Sequence, residues 1–419
     1  MEVAVIGGGV VGVCSAYFLA AAGHEVTVFE RNGSVGEEAS FANAGLLGPG
    51  YTAPWLRPGS GAQMLSALFS SKSPLILSRS LDTELWRWLG RWRAESEMQR
   101  FKNNWLRLHR LADYSHALLR GLREHHQIDD EKTSGLLQLL RTEKTLQRMQ
   151  PILDLLALQG VSHKVLEPEA IRAIEPALSA QPRLYAAVHL PHTETANCAL
   201  LTKQLKAIAQ DLGVQFRFKA TVTSLARDRN GIVMRVNDQT LNTDAVVIAT
   251  GAASNSLLKD VGLSLPLYPV RGYSLTVPVK EPEYAPVSAV MDETRKVSIT
   301  RIGNRVRVAG LAGIGALKPA AEERALHQLL AVAEDWFPNA ANYHTSSLWC
   351  GQRAMLPDEV PLLGESPTKG VYLNIAHGES GWTMAAGAGK IIADLISNEM
   401  PEIDMEGLTL TRLLSSARA

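Results

Sequence analysis

Cysteine is scarce: Cys14, Cys198 and Cys350 are the whole supply in 419 residues, with neither a metal-ligand spacing nor an even-numbered disulfide framework among them. That scarcity excludes a disulfide-stapled fold and points to a reducing, cytoplasmic setting. An excess of charge is also missing. Lys plus Arg number 42, as do Asp plus Glu, so there is no positive field to hold nucleic acid. No stretch reaches the ~18 uncharged apolar residues that a membrane span needs; the longest apolar helix is expected over residues 10–22. No signal peptide is expected either, because an acidic Glu2 and an early glycine run replace the basic region and apolar helix it requires. What these absences leave is a cytoplasmic chain, free or held peripherally on the inner face of the cell membrane. Hydrophobic residues make up 46%, and the length suits two domains in one polypeptide.

The opening residues carry the sharpest pattern. Residues 2–6 (EVAVI) read as a short buried parallel strand. Gly7, Gly8, Gly9, Val10, Val11 and Gly12 then satisfy G-x-G-x-x-G, an apolar helix follows, Gly23 closes it, and a second strand over 25–29 ends in Glu30. Gly7 permits a tight turn, Gly9 lets backbone approach a pyrophosphate, and Gly12 lets the helix lie close on the strand. The helix N-terminus offers N–H groups and a positive dipole end to phosphate. Glu30, eighteen positions after Gly12, stands where an acid accepts ribose hydroxyls and would repel the extra phosphate of NADP. This unit alone fits NAD or FAD.

Two later segments favour FAD. Residues 244–251 form a buried strand ending in Ala249, Thr250 and Gly251, expected to return to the first sheet beside the diphosphate. Upstream, residues 214–218 and 221–225 look like paired strands, with the backbone near Val222 as a contact for adenine. The last segment is a strand over 371–375, a turn containing His377, Gly378, Gly381, Trp382 and Thr383, and a small-residue helix. Its N–H groups point at an anion and would stabilise negative charge on the pyrimidine side of a flavin. His377 is expected to fix the turn rather than to react.

With these residues in view, the chain resembles the FAD-dependent D-amino-acid oxidase superfamily, and within it the small-subunit type of bacterial D-amino-acid dehydrogenases. The resemblance covers nearly the whole chain. Its more specific stretches are 40–55 (SFANAGLLGPGYTAPW), 268–277 (YPVRGYSLTV), 291–310 (MDETRKVSITRIGNRVRVAG) and 377–387 (HGESGWTMAAG). It implies flavin contacts at Arg31, Ser40, Asn43, Ala44, Gly45 and Leu46. It also implies oxidative deamination of D-amino acids to 2-oxo acids and ammonia, with electrons passed to a quinone or another non-oxygen acceptor. Close alternatives are a D-proline or hydroxy-D-proline dehydrogenase, a glycine or sarcosine oxidase, and a non-catalytic FAD-binding subunit of a complex. Some relatives attach flavin through a cysteine near Cys350, but its position does not clearly match, so non-covalent FAD is expected.

On the substrate side the resemblance puts Arg353, in a G-x-R pattern, on the substrate carboxylate, although Ala354 stands where the family often has proline. A planar guanidinium suits that task. Tyr51 and Tyr273 are the next candidates for the carboxylate or the pocket wall, while Arg271 and Glu293 are weaker, since charges in strands are usually solvated. No nucleophile triad or metal cluster stands out, because a flavin would carry the chemistry.

The expected architecture is α/β: a Rossmann-like FAD-binding domain from 1–50, 195–265 and 346–419, and an α+β substrate domain from 51–194 and 266–345 on a mostly antiparallel sheet. Strands are expected over 136–140, 185–190 and 297–302. Residues 82–123 read as one long amphipathic helix with Leu85, Trp86, Leu89, Trp92, Leu106 and Leu111 in the core. Residues 64–77 (MLSALFSSKSPLIL) are apolar but too short to span. They read as a helix and loop of the substrate domain, in preference to a monotopic membrane contact serving a quinone.

Overall fold

The computed structural model describes residues 1–59, 70, 72–78, 82–229 and 231–415. The first sheet is built from the patterned segments of the N-terminus. Its strands are β1 (Glu2–Ile6), β2 (Glu25–Phe29), β8 (Gln215–Arg217), β12 (Ala245–Ile248), β18 (Leu362–Glu365) and β19 (Val371–Ile375), in the order β18-β19-β12-β1-β2-β8. All neighbours are parallel except β18, which runs antiparallel to β19. The short, β-branched runs of β1 and β12 are buried on both faces, as covered parallel strands require. Strand order reverses at β1, between β2 and β12, and a ligand crevice forms beyond the strand ends at such a point.

The helices Val10–Ala21 and Gly381–Ile396 cover one face of this sheet, and the second also packs on the helix Met98–His126. The small residues of Gly381–Ile396 explain how one helix meets two. A Cβ on Gly389 would lie 2.8 Å from the backbone at Cys14 and Ser15, and one on Gly387 3.0 Å from the Cα of Ser115. A larger residue at either place would force the helices apart.

The second sheet holds ten strands. A path β17-β13-β16-β15-β14-β5-β7-β3 joins Trp349–Met355, Tyr268–Pro278, Arg305–Ile314, Val297–Ile302, Ala289–Asp292, Thr133–Leu140, Ala186–Thr195 and Leu46–Leu47, with β4 (Leu75–Leu77) on β16 and β6 (Lys164–Leu166) on β7. It is mostly antiparallel; β5 with β14 and β4 with β16 are the parallel pairs. The helix Pro319–Trp336 closes a core against it, through Ala325, Leu329, Val332 and Trp336. The mixed α/β class and the antiparallel strands at 136–140, 185–190 and 297–302 agree with the sequence reading.

Four expectations need correction. Residues 214–218 and 221–225 do not pair with each other. The first forms β8 on β2, and the second forms β9 (Val222–Arg227) on β10 (Ile232–Val236), which continues to β11 (Gln239–Thr243). The span 82–123 is two helices, Thr83–Ala94 and Met98–His126. Each starts on its own carboxylate cap, Asp82 on the N–H groups of Glu84 and Leu85 and Glu97 on those of Gln99 and Arg100. Trp86 is 42% exposed, because Leu85, Trp88, Leu89 and Trp92 already fill the buried stripe, and Leu106 is only half-buried. β3 and β17 join the large sheet and thereby bring both sheets to one crevice. Within 64–77, residues 64–69 and 71 lie outside the described residues; 75–77 are strand rather than helix or loop. No helix among the described residues is long and apolar enough to cross a membrane.

Candidate active site

A cavity of about 480 Å³ runs between the two sheets. One end is the opening turn. Gly7 has φ +110°, and a Cβ there would lie 2.5 Å from the Ala249 carbonyl oxygen, so strand end, turn and β12 meet without side chains. Gly9, Val10, Val11, Glu30 and Arg31 line this end, with Ser40, Val222, Ala249, Thr250 and Gly251 beside them. Glu30 is held before any ligand arrives, since its carboxylate accepts from the N–H of Gly8 at 2.6 Å and of Asn32 at 2.7 Å. Gly8 and Gly12 do not line the cavity; Gly8 carries that contact and Gly12 packs against Gly7.

The middle is walled by Asn43, Ala44, Gly45 and Leu46 on one side and by Gly378, Gly381 and Trp382 on the other. Thr383 is buried behind them and outside the lining. His377 joins this wall through a chain of hydrogen bonds that fixes its tautomer. The Ser15 hydroxyl donates to the Val11 carbonyl at 2.9 Å and so accepts from Asn374 Nδ2 at 2.9 Å. The Asn374 Oδ1 therefore faces His377 Nε2 at 2.7 Å and accepts its proton. Nδ1 is left with its lone pair, buried and without a protein partner. Burial pushes the imidazolium down to about 4, so the ring is neutral at physiological pH.

At the far end stands Arg353. Its Nη2 donates to the Leu311 carbonyl at 2.9 Å, its Nη1 lies 3.5 Å from Glu379 Oε1, and its buried Nε has no partner. Gly272 lies directly beneath the guanidinium. Tyr51 lines the same end; burial, then Glu379 and Glu293, raise its phenol well above the ordinary value. Tyr273 borders the cavity, but its ring belongs to the apolar core under Pro319–Trp336, and its hydroxyl lies next to Gly313. Arg271 is paired outward with Glu322 at 3.4 Å. Glu293, expected to be solvated, is 5% exposed and accepts from Arg57 at 2.6 Å and from Lys296. Burial alone would raise its carboxyl, yet these two cations hold it below the usual range. Burial and Arg57 lower Lys296, which lines the cavity beside Tyr51. Arg57, Lys296 and Glu379 were not singled out in the sequence, where they are isolated charges in loops and turns. Cys350 is exposed and does not line the cavity.

Glu359 accepts from Trp92 Nε1 at 2.7 Å and from the Trp55 N–H at 2.9 Å. Burial raises its carboxyl to about 7. A carboxyl whose pKa is higher in the fold than in the unfolded chain contributes fully below the unfolded value, and that contribution fades as pH rises through the folded one. The protein is therefore expected to lose up to ~3 kcal/mol between pH 4.5 and 8 from this group, at 1.36 kcal/mol per unit. The Glu359→Gln variant removes the charge and keeps one of the two acceptor oxygens. Its melting temperature should be flatter over that range, and equal slopes for the two proteins would rule the assignment out.

These residues fit a dinucleotide that ends in a polar ring. The glycine turn meets a helix N-terminus at one end, and in the middle His377 Nδ1 and Trp382 Nε1 are buried polar atoms on the wall with no protein partner. Unpartnered buried groups are costly unless a ligand completes them.

The comparisons agree. The family model for DAO, FAD dependent oxidoreductase, matches residues 2–395. The chain is similar to D-amino acid dehydrogenase 1 of Mesorhizobium japonicum, at 40% identity over 99% of this chain and 100% of that one. It is also similar to the D-amino acid dehydrogenase of Methylobacterium radiotolerans, at 42% over 98% and 99%. A crystal structure of glycine oxidase from Geobacillus kaustophilus shares the fold, with a TM-score of 0.75, 24% identity and 98% of each chain covered. The chain belongs to the DAO family of FAD-dependent oxidoreductases. FAD is accordingly its cofactor.

Proposed function

We propose that the protein oxidatively deaminates D-amino acids to 2-oxo acids and ammonia. The observation that carries the reading is a half-buried guanidinium, Arg353, whose buried Nε is unpartnered at the opposite end of the cavity from the dinucleotide turn, together with full-length relatives named D-amino acid dehydrogenase. Non-covalent FAD would lie along the cavity, held by the glycine turn, Glu30, segment 40–46 and the residues from His377 to Trp382, and would supply hydride acceptance from the α-carbon.

The protein's own part is orientation. Arg353 takes the substrate carboxylate on its open edge, with Glu379 giving way at Nη1 and Leu311 keeping Nη2 in place. Tyr51 closes the carboxylate side. A two-point hold of this kind sets the α-carbon at a fixed place, and fixed placement is a large part of the rate. The amine must be neutral when the hydride leaves; its proton passes to a side chain, a water or bulk solvent. The imine is then hydrolysed by water. Electrons pass on to a quinone or another non-oxygen acceptor, and any membrane contact is peripheral. The division into cofactor segments 1–50, 195–265 and 346–419 and substrate segments 51–194 and 266–345 belongs to the same reading.

Anaerobic bleaching of the flavin tests it. D-alanine, D-proline, hydroxy-D-proline, glycine, sarcosine and L-enantiomers are added in turn to the yellow protein. Bleaching by D-amino acids is the expected result, and the ranking of D-alanine against D-proline names the substrate class. Bleaching by glycine or sarcosine alone would place the enzyme with the oxidases. A protein that holds FAD and is bleached by none is an accessory subunit.

A further inference from the structure

A row of polar side chains lies buried on the face of the large sheet behind the cavity. Thr276 of β13, Arg307 of β16 and Thr300 of β15 are direct cross-strand neighbours, and Ser274 lies one pleat along β13. Ser274, Thr300 and Arg307 are all nearly inaccessible, at 1%, 0% and 5%. Sheet faces buried this deeply are ordinarily apolar, so a polar row must be held by specific partners.

Those partners are consecutive. The Ser274 hydroxyl donates to the carbonyl of Ala42 at 2.7 Å, Arg307 Nη1 to that of Asn43 at 3.0 Å, and the Thr300 hydroxyl to that of Ala44 at 3.0 Å. The segment thus crosses three adjacent strands, β13, β16 and β15, at one residue per strand. No peptide bond among the described residues is cis. In a trans peptide the N–H points opposite to the C=O. With the carbonyls of Ala42 and Asn43 turned to the sheet, the N–H groups of Asn43 and Ala44 point away from it, and both residues line the cavity. Neither N–H has an acceptor among the described residues, whereas that of Gly45 is taken by Asn43 Oδ1 at 3.0 Å.

Arg307 adds charge to this arrangement. Its Nε donates to Thr276 Oγ1 at 3.0 Å, so this hydrogen bond and the one to the Asn43 carbonyl both end on uncharged acceptors. The nearby carboxylate of Glu131 is paired with Arg305. Burial, then Arg305, lower Arg307 to about 10 against the opposing pull of Cys198 and Glu131, and it stays cationic at neutral pH. A cation on the Asn43 carbonyl polarises that peptide, making the Ala44 N–H a stronger donor.

We propose that Ser274, Thr300 and Arg307 form a carbonyl clamp that aims two N–H donors at the flavin, and that the buried charge of Arg307 sets the cofactor's reduction potential. The inference rests on FAD occupying this cavity, not on which substrate reduces it. Arg307 is a positioning residue, since it reaches the ligand only through the segment it holds.

The test is the midpoint potential of the bound FAD, measured by anaerobic titration against reference dyes in holoprotein, with the FAD dissociation constant measured alongside. Removing a cation behind an electron-accepting ring makes reduction harder. Arg307→Met is expected to lower the reduction equilibrium at least tenfold, about 30 mV for a two-electron couple. Arg307→Lys should retain most of the potential, and Thr300→Val should shift it less, in the same direction. A folded, FAD-loaded Arg307→Met protein at the wild-type potential overturns the proposal. If that variant does not fold, Arg307→Lys and Thr300→Val decide, and wild-type potentials in both overturn it. Because no substrate is used, these outcomes stay separate from the bleaching test: a protein that D-amino acids do not bleach can still confirm or lose the clamp.

Discussion

Replacing Arg353 with methionine is expected to lower kcat/KM for a D-amino acid by two to three orders of magnitude, mostly through KM, with FAD still bound. Removing one partner of a buried charge pair costs ~3–4 kcal/mol, and each 1.36 kcal/mol is a factor of ten. The loss should fall on substrate because the guanidinium is held by groups that do not depend on FAD, namely the Leu311 carbonyl, the Gly272 floor and Glu379. Methionine keeps much of the side-chain volume over Gly272, so the cavity wall should survive. Arg353→Lys should recover part of the affinity, since an ammonium supplies the charge but not the planar fork. Steady-state kinetics with D-alanine, or with the best substrate from the bleaching panel, checks both variants. A methionine variant with an unchanged KM would mean that the carboxylate binds elsewhere, and Lys296 would be the next cation to test.

The parts of this site that were legible in the sequence are those where backbone geometry dictates residue type. A glycine turn against a neighbouring strand leaves a pattern that can be read without coordinates, and so does a short β-branched run covered on both faces. Gly7, Gly12, β1, β12 and β19 were therefore within reach. The facing of a strand was less accessible. Tyr51 and Tyr273 looked alike as candidates, yet β13 carries a register shift between Arg271 and Tyr273. A bulge of that kind changes which face later residues occupy, and Tyr273 borders the cavity with its ring in the core while Tyr51 lines the end beside Lys296. Pairing was also hidden: β8 lies on β2 across nearly two hundred residues of chain, and nothing local in FRF distinguishes that partner from the strand that follows. The charges around Glu293 were misjudged for a related reason. Arg57 comes from a loop far away in sequence, and only the fold shows that a carboxylate beside a strand meets two cations instead of water. The carbonyl clamp has the least local signal of all, because three ordinary polar residues acquire their role from lying on one line across the sheet.

Gly12→Ala should be the most damaging single methyl in the protein. The added Cβ would lie 1.9 Å from the Gly7 carbonyl oxygen and 3.0 Å from its carbon. Both are backbone atoms, so no side-chain rotation relieves the overlap. Gly7 cannot retreat, because its own Cβ direction already faces the Ala249 carbonyl at 2.5 Å and its φ is +110°. The helix must therefore lift from β1 by more than an ångström at its first turn. That movement carries away the N–H of Val10, now 3.1 Å from Ser40 Oγ, and with it the donors that would meet the diphosphate. FAD should dissociate at least a hundredfold more readily, and overpacking of a tight core should lower stability by ~1–3 kcal/mol or more. Gly33→Ala is the control: it adds the same methyl nearby, but nothing lies within 4 Å of its Cβ, so its FAD affinity and melting temperature should match wild type. Fluorescence titration of the stripped proteins with FAD, alongside thermal melts, measures both effects. If Gly12→Ala bound FAD as well as Gly33→Ala, the diphosphate would have to be held by the loop after β12, at Thr250 and Gly251, rather than by the opening turn.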